Sequence, residues 1–271
     1  MNSATVRTLL VRGMLAGVVA GLFALVTASF LGEPHVDAAI AFEEAHAHSH
    51  EGGEEVVSRG MQATAGLATA VLVYGVAIGG IASLVFSYAL GRTGRFGPRA
   101  TAMLLSGAAF VCVYLVPFLK YPANPPSVGD PESLDKRTAL YFLMVLLSVL
   151  LAVAATILGR RLAPRLGNWY ATVTAVLGFA AAVGIAYAFL PSVSELPEHF
   201  PALLLWRFRV STLAVQLVLW TAFGLTFAHL AERALRPRTA RDGGVGEDAK
   251  DGEQREAEQG AAPSSTAPAA N

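Results

Sequence analysis

The sequence predicts an all-α integral membrane protein: a polytopic bundle of six transmembrane helices with both termini on the cytoplasmic side. Three observations predict it. Of the 271 residues, 54% are hydrophobic and only 15% are charged, where ordinary soluble domains carry about 25% charged residues. Six stretches, 13–31, 66–90, 100–119, 138–159, 166–190 and 210–230, contain no Asp, Glu, Lys or Arg. Each is long enough to cross a hydrocarbon core of about 30 Å. None alternates with period two, which argues against a barrel, and lipid leaves open backbone groups unsatisfied, so the runs must be helices.

Charge sets the orientation, because cytoplasmic connections carry the excess of Lys and Arg. Arg7, Arg12, Arg92, Arg95, Arg99, Arg160, Arg161, Arg165, Arg233, Arg236, Arg238 and Arg241 fall on one side of the six runs. Only Arg59, Lys120, Lys136, Arg137, Arg207 and Arg209 fall on the other. The first, third and fifth connections therefore face outward. The first run could instead be a cleaved signal peptide. Its 19 residues exceed the usual apolar core of such a peptide, and the nearest small-x-small pattern, Ala39-Ile40-Ala41, lies well downstream.

The first run carries Gly13, Gly17 and Gly21 at intervals of four, and the second carries Gly75 and Gly79. Small residues at this spacing let a second backbone approach closely. Packing within the chain is expected in preference to a dimer interface. The turn from Gly91 to Gly97 reads as a tight basic hairpin. The whole membrane domain spans 1–238. Beyond it, 239–271 is rich in Gly, Pro, Ser and acids. It buries too little apolar surface to offset its ordering entropy and is expected to be a disordered cytoplasmic tail.

The composition also excludes functions. Net charge is zero, 20 basic against 20 acidic residues, so no basic field attracts nucleic acid. The single cysteine, Cys112, leaves no disulfide framework and no cysteine-rich metal site; inside a span it reads as a small buried residue. No Walker, G-x-S-x-G or H-E-x-x-H signature occurs, so the chain reads as neither an ATPase nor another enzyme. No histidine pair lies inside the runs, which argues against transmembrane haem. His229 reads as a boundary residue and His199 as solvated. Gln216, the clearest intramembrane amide, is expected to bond a neighbouring helix.

Chemistry concentrates in the outer connection 32–65. Its first part holds His35, His46, His48 and His50 among Glu33, Asp37, Glu43, Glu44 and Glu51. The Ala-rich segment 37–50 favours a short helix, on which Glu43, His46 and His50 share one face and Glu44 and His48 a neighbouring one. Imidazole with carboxylate suits divalent first-row ions without choosing among them. The alternative is a solvated polar loop. Glu33 and Asp37 follow the first run directly, as boundary residues or as the mouth of a cation path. Pro34 is expected to turn the chain there. The second outer connection contains Pro117, Pro122, Pro125, Pro126 and Pro131. Each proline fixes φ, so this loop is stiff and suits a lid or entrance built on Lys120, Tyr121, Asn124 and Asp130. Lys120 and Tyr121 could equally be a snorkelling end charge and an interfacial aromatic.

Several segments together resemble the CbtA family. They are Gly32-Glu33-Pro34 with Asp37-Ala38-Ala39-Ile40 and Glu43-Glu44, Ser58-Arg59-Gly60-Met61-Gln62, the block running from Tyr114 through Lys120-Tyr121-Pro122-Ala123-Asn124-Pro125-Pro126, and Gly129-Asp130-Pro131-Glu132 with Arg137-Thr138. The resemblance implies the larger subunit of a cobalt uptake transporter serving cobalamin synthesis, in the bacterial inner membrane. It also implies a small single-span, histidine-containing CbtB-like partner. Co2+ would be the transported ion, with no prosthetic group. The competing reading is a membrane metal-sensing or metal-delivery protein that does not itself transport.

Overall fold

The computed structural model describes residues 2–46, 58–92, 94, 96–126, 128, 133–193 and 200–235. Among these, all regular structure is helical. Helix α1 (Ser3–Thr27) starts where the Asn2 side chain accepts from Thr5 N at 2.9 Å, satisfying one of the open N–H groups of the first turn. It does not stop at the expected end of the first run. A widened, π-helical turn (Ala28–Gly32) passes it straight into α2 (Glu33–His46).

The turn expected at Pro34 is therefore absent, and most of the expected outer loop up to residue 46 is helix. Glu33 keeps helical angles, and its N–H donates to Ala28 O, five residues back. Widening the turn in this way accommodates a proline that cannot donate and whose ring would strike the carbonyl four residues earlier. The helix expected over 37–50 begins instead at Glu33.

The second run is built the same way. A short α3 (Arg59–Met61) passes through a π-helical turn (Gln62–Gly66) into α4 (Leu67–Ala89). The glycine stripes meet within the chain, as expected. A Cβ on Gly75 would lie 2.5 Å from Gly17 O, and one on Gly13 would lie 2.5 Å from Gly79 O. No side chain fits there, so α1 and α4 touch backbone to backbone.

Helix α5 (Pro98–Ala109), a π-helical turn (Phe110–Leu115) and α6 (Val116–Lys120) form one apolar rod. Here too the widened turn precedes a proline, Pro117. Val116 N–H donates to Val111 O, which leaves the carbonyls of Cys112 and Val113 without helical donors. The hydroxyls of Ser148 and Tyr141 take them up, the latter at 3.4 Å. Cys112 is buried at this turn, as expected.

Helix α7 runs Leu134–Phe189, and α8 Ala202–Leu235. A straight helix of 56 residues would be about 84 Å long. Gly167 breaks it, with φ 76° and ψ 161°. The two arms fold back on each other: a Cβ on Gly159 would lie 3.1 Å from Ala175 Cβ, and Met144 packs in one cluster with Val183 and Ala186. Among the described residues, five helical stretches are long and apolar enough to cross a membrane, and the one covering α7 is this folded pair.

Two clusters hold the bundle. Leu9, Ala16, Ala20 and Phe86 of α1 and α4 pack on Trp220, Phe223 and Phe227 of α8. Val116 and Tyr121 pack on the α7 arms. Large apolar residues face outward, with Phe142 64% and Leu177 63% exposed. Such a surface suits lipid and not water.

Candidate metal entrance

Glu33 and Asp37 stand one turn apart at the start of α2, so their carboxylates share a face. Arg59 reaches them from α3. Its Nη2 lies 2.5 Å from Glu33 Oε2 and 2.9 Å from Asp37 Oδ1, and its Nε donates to the same Asp37 oxygen at 3.1 Å. Glu33 is the more enclosed carboxylate, 18% exposed against 61% for Asp37. Both carboxylates are thus held by a tethered cation. A divalent ion binding both must displace the guanidinium. Sequence reasoning placed Arg59 in the orientation count and in a family-like segment, and missed its pairing with these carboxylates.

Further along α2, Phe42 meets Phe200 edge-on at 5.2 Å, which docks the helix beside the start of α8. His35 points to α8 and lines a hollow of about 220 Å³ with Trp206 and Arg207, away from the carboxylate pair. Glu43 and Glu44 are exposed near the end of α2. His46 closes that helix; its side chain, with His48 and His50, lies outside the described residues. Among the described residues, no three His, Cys, Asp or Glu side chains gather as a metal site.

The proline-rich block lies at the same end of the bundle and is tied on both sides. Lys120 Nζ donates to Tyr187 O at 2.8 Å, and Tyr121 Oη donates to Pro191 O at 2.8 Å. Tyr187 Oη donates to Val116 O in return. Lys120 thus caps the last carbonyls of the second α7 arm, where a cation is favoured. Burial holds the Tyr121 phenol in its neutral form, with its pKa above the ordinary tyrosine value. Asn124 Oδ1 accepts from Arg209 Nη2 at 2.9 Å, and Ala123 O accepts from Arg209 Nε at 3.2 Å. Asp130 lies outside the described residues. Sequence reasoning missed Arg209 and Tyr187, the partners that fix this block.

The opposite end is basic. Arg12 Nη1 donates to Leu230 O at 2.5 Å, Arg99 pairs with Glu232 at 2.5 Å, and Arg160 donates to Arg92 O. The family described as "Probable cobalt transporter subunit (CbtA)" matches residues 6–232. The chain belongs to the CbtA family. The match takes in the carboxylate pair, Arg59, the proline-rich block and nearly all of α8, and it ends before the tail. Membership in CbtA makes the chain a subunit of a cobalt transporter, and its long apolar helices make it a multi-pass membrane protein. Neither a curated protein nor a solved structure matches the chain.

Proposed function

We propose that the chain is the membrane subunit of a divalent-metal uptake system, with Co2+ as its ion, in the inner membrane of a bacterium. The observation that carries the reading is that Glu33, Asp37, Lys120, Tyr121 and Asn124 converge on one end of the bundle, in a chain of the CbtA family. Glu43, Glu44, His46, His48 and His50 collect the ion outside. It passes to Glu33 and Asp37 as Arg59 swings away, and the block over 120–126 with Asp130 forms the entrance. Histidine and carboxylate bind first-row divalent ions without rigid geometry, which fits capture and release.

The bundle crosses the membrane six times, with both termini cytoplasmic. Each arm of α7, broken at Gly167, exceeds the about 20 residues needed for one crossing. The arginine-bearing end with Arg12, Arg92, Arg99 and Arg160 faces the cytoplasm. The small single-span, histidine-containing partner completes the transporter, and the ion serves cobalamin synthesis.

Reconstitution into vesicles tests this reading. Co2+ should accumulate with the chain and its partner present. Metal binding with no uptake in either case would favour sensing or delivery instead. An impermeant maleimide should label a cysteine placed at position 46 in intact cells and spare one at 245; the reverse pattern would overturn the topology.

A further inference from the structure

The entrance continues inward along one strip of α8. Arg209, which holds the proline-rich block, is followed by Thr212, Gln216 and Trp220, each of these three one turn after the last. Thr212 Oγ1 donates to Arg209 O at 2.9 Å, and the hydroxyl of Tyr114, from the widened turn Phe110–Leu115, is enclosed with no hydrogen-bond partner among the described residues. Gln216 Oε1 and Trp220 Nε1 are both enclosed and have no hydrogen-bond partner among the described residues. Trp220 is only 4% exposed. The expected bond from Gln216 to a neighbouring helix is therefore not made by this oxygen.

An acceptor and a donor left open one turn apart, in a bundle that faces lipid, are an arrangement that polar matter satisfies and hydrocarbon does not. Beyond Trp220 the strip changes character. Phe223 stacks on Phe227 at 5.4 Å, and Phe227 meets Phe86 edge-on at 5.1 Å. Three rings close the strip before the Arg12–Leu230 end.

From this we infer that the Thr212–Gln216–Trp220 strip is the ion's passage: a lane of neutral polar groups that starts beneath Arg209 and the proline-rich block and is closed inward by Phe86, Phe223 and Phe227. The inference rests on the transport reading. The lane has no carboxylate or imidazole to replace an ion's inner water. Its ligand is therefore a hydrated divalent cation, whose inner waters donate to Gln216 Oε1, while Trp220 Nε1 donates to a further water beyond that shell.

Cysteine accessibility tests the lane without relying on uptake. In the full chain carrying Cys112→Ala, Gln216→Cys and, as a second probe, Thr212→Cys are compared with Leu217→Cys, whose native side chain is 53% exposed on the outer face of α8. A charged methanethiosulfonate added from outside should modify the lane cysteines at least about tenfold faster, because only a wetted thiol ionises. Millimolar Co2+ should slow that reaction and leave Leu217→Cys unchanged. Lane cysteines that react no faster than Leu217→Cys would overturn the inference. So would fast labelling that is indifferent to Co2+, combined with wild-type uptake in Gln216→Leu. Absence of uptake by the wild-type system would count against the transport reading, while the labelling contrast still decides whether the lane exists.

Discussion

Gly167→Ala separates a folded pair of helices from one continuous rod by the sign of its effect. Gly167 has φ 76° and ψ 161°, a region essentially closed to residues with a Cβ, and occupying it costs of order 1–3 kcal/mol. A Cβ there would meet nothing within 4 Å, so no packing change confounds the backbone term. Were 134–189 one unbroken helix, the same substitution would stabilise it by about 0.5–1 kcal/mol. Gly184 is the control: it sits inside the second arm, its Cβ would also meet nothing, and Gly184→Ala is expected to be neutral to stabilising. The assay is thermal unfolding of the purified protein in detergent. At about 2–4 °C per kcal/mol for a chain of this size, Gly167→Ala should lower the midpoint by several degrees. An unchanged or raised midpoint would refute the break at Gly167, and with it the two crossings assigned to α7.

Other outcomes follow from the contacts. Gly75→Val should cost more than the about 1–3 kcal/mol of ordinary overpacking, because its Cβ would stand 2.5 Å from backbone, Gly17 O; loss of folded protein on size exclusion checks it. Arg59→Gln should leave stability within about 1 kcal/mol, since a partly exposed pair is worth little, yet raise Co2+ affinity several-fold by freeing Glu33 and Asp37, as measured by calorimetry. Tyr121→Phe should lose about 1 kcal/mol with the bond to Pro191 O. Because burial raises the Tyr121 pKa, its neutral form supports the fold below the unfolded value of about 10. That support is lost as pH rises through the higher folded value. Unfolding midpoints should therefore converge between wild type and Tyr121→Phe at strongly alkaline pH, and a gap that persists there would contradict this.

The helical runs were legible because charge is expensive in lipid and its absence over long stretches leaves little choice. The connection marked by Arg160, Arg161 and Arg165 was legible too, although the break itself falls at Gly167, inside the expected fifth run. What failed at Pro34 was the assumption that a proline must end a helix. A widened turn costs one residue of register and keeps the rod going, and nothing in the local pattern announces it. The partner of Glu33 was within reach. Gly17 meets Gly75, and sixteen residues on from one and sixteen back from the other stand Glu33 and Arg59. Each strand of that extrapolation gains one widened turn, so the two stay level. The glycine stripes thus encode the clasp, once they are known to pack on each other and not on a second chain. Tyr187 and Arg209 were not legible, because they reach the proline-rich block from helices whose placement no periodicity reveals. The same holds for the open Gln216 oxygen, since intramembrane amides ordinarily find a partner.

Uptake of Co2+ at limiting concentration, comparing the wild-type chain with the variant carrying His46, His48 and His50 changed to Ala, tests outer capture followed by transport most directly. Both proteins are reconstituted with the partner subunit and assayed at pH 7.5 and 5.5. Histidine binds metal as the neutral imidazole, with an ordinary pKa of about 6.5, so protons compete with the ion between these values. The wild type should take up Co2+ strongly at the higher pH and weakly at the lower. The variant should be poor at both and recover at saturating metal. Equal uptake by the two proteins, insensitive to pH over this range, would show that the outer histidines do not collect the ion.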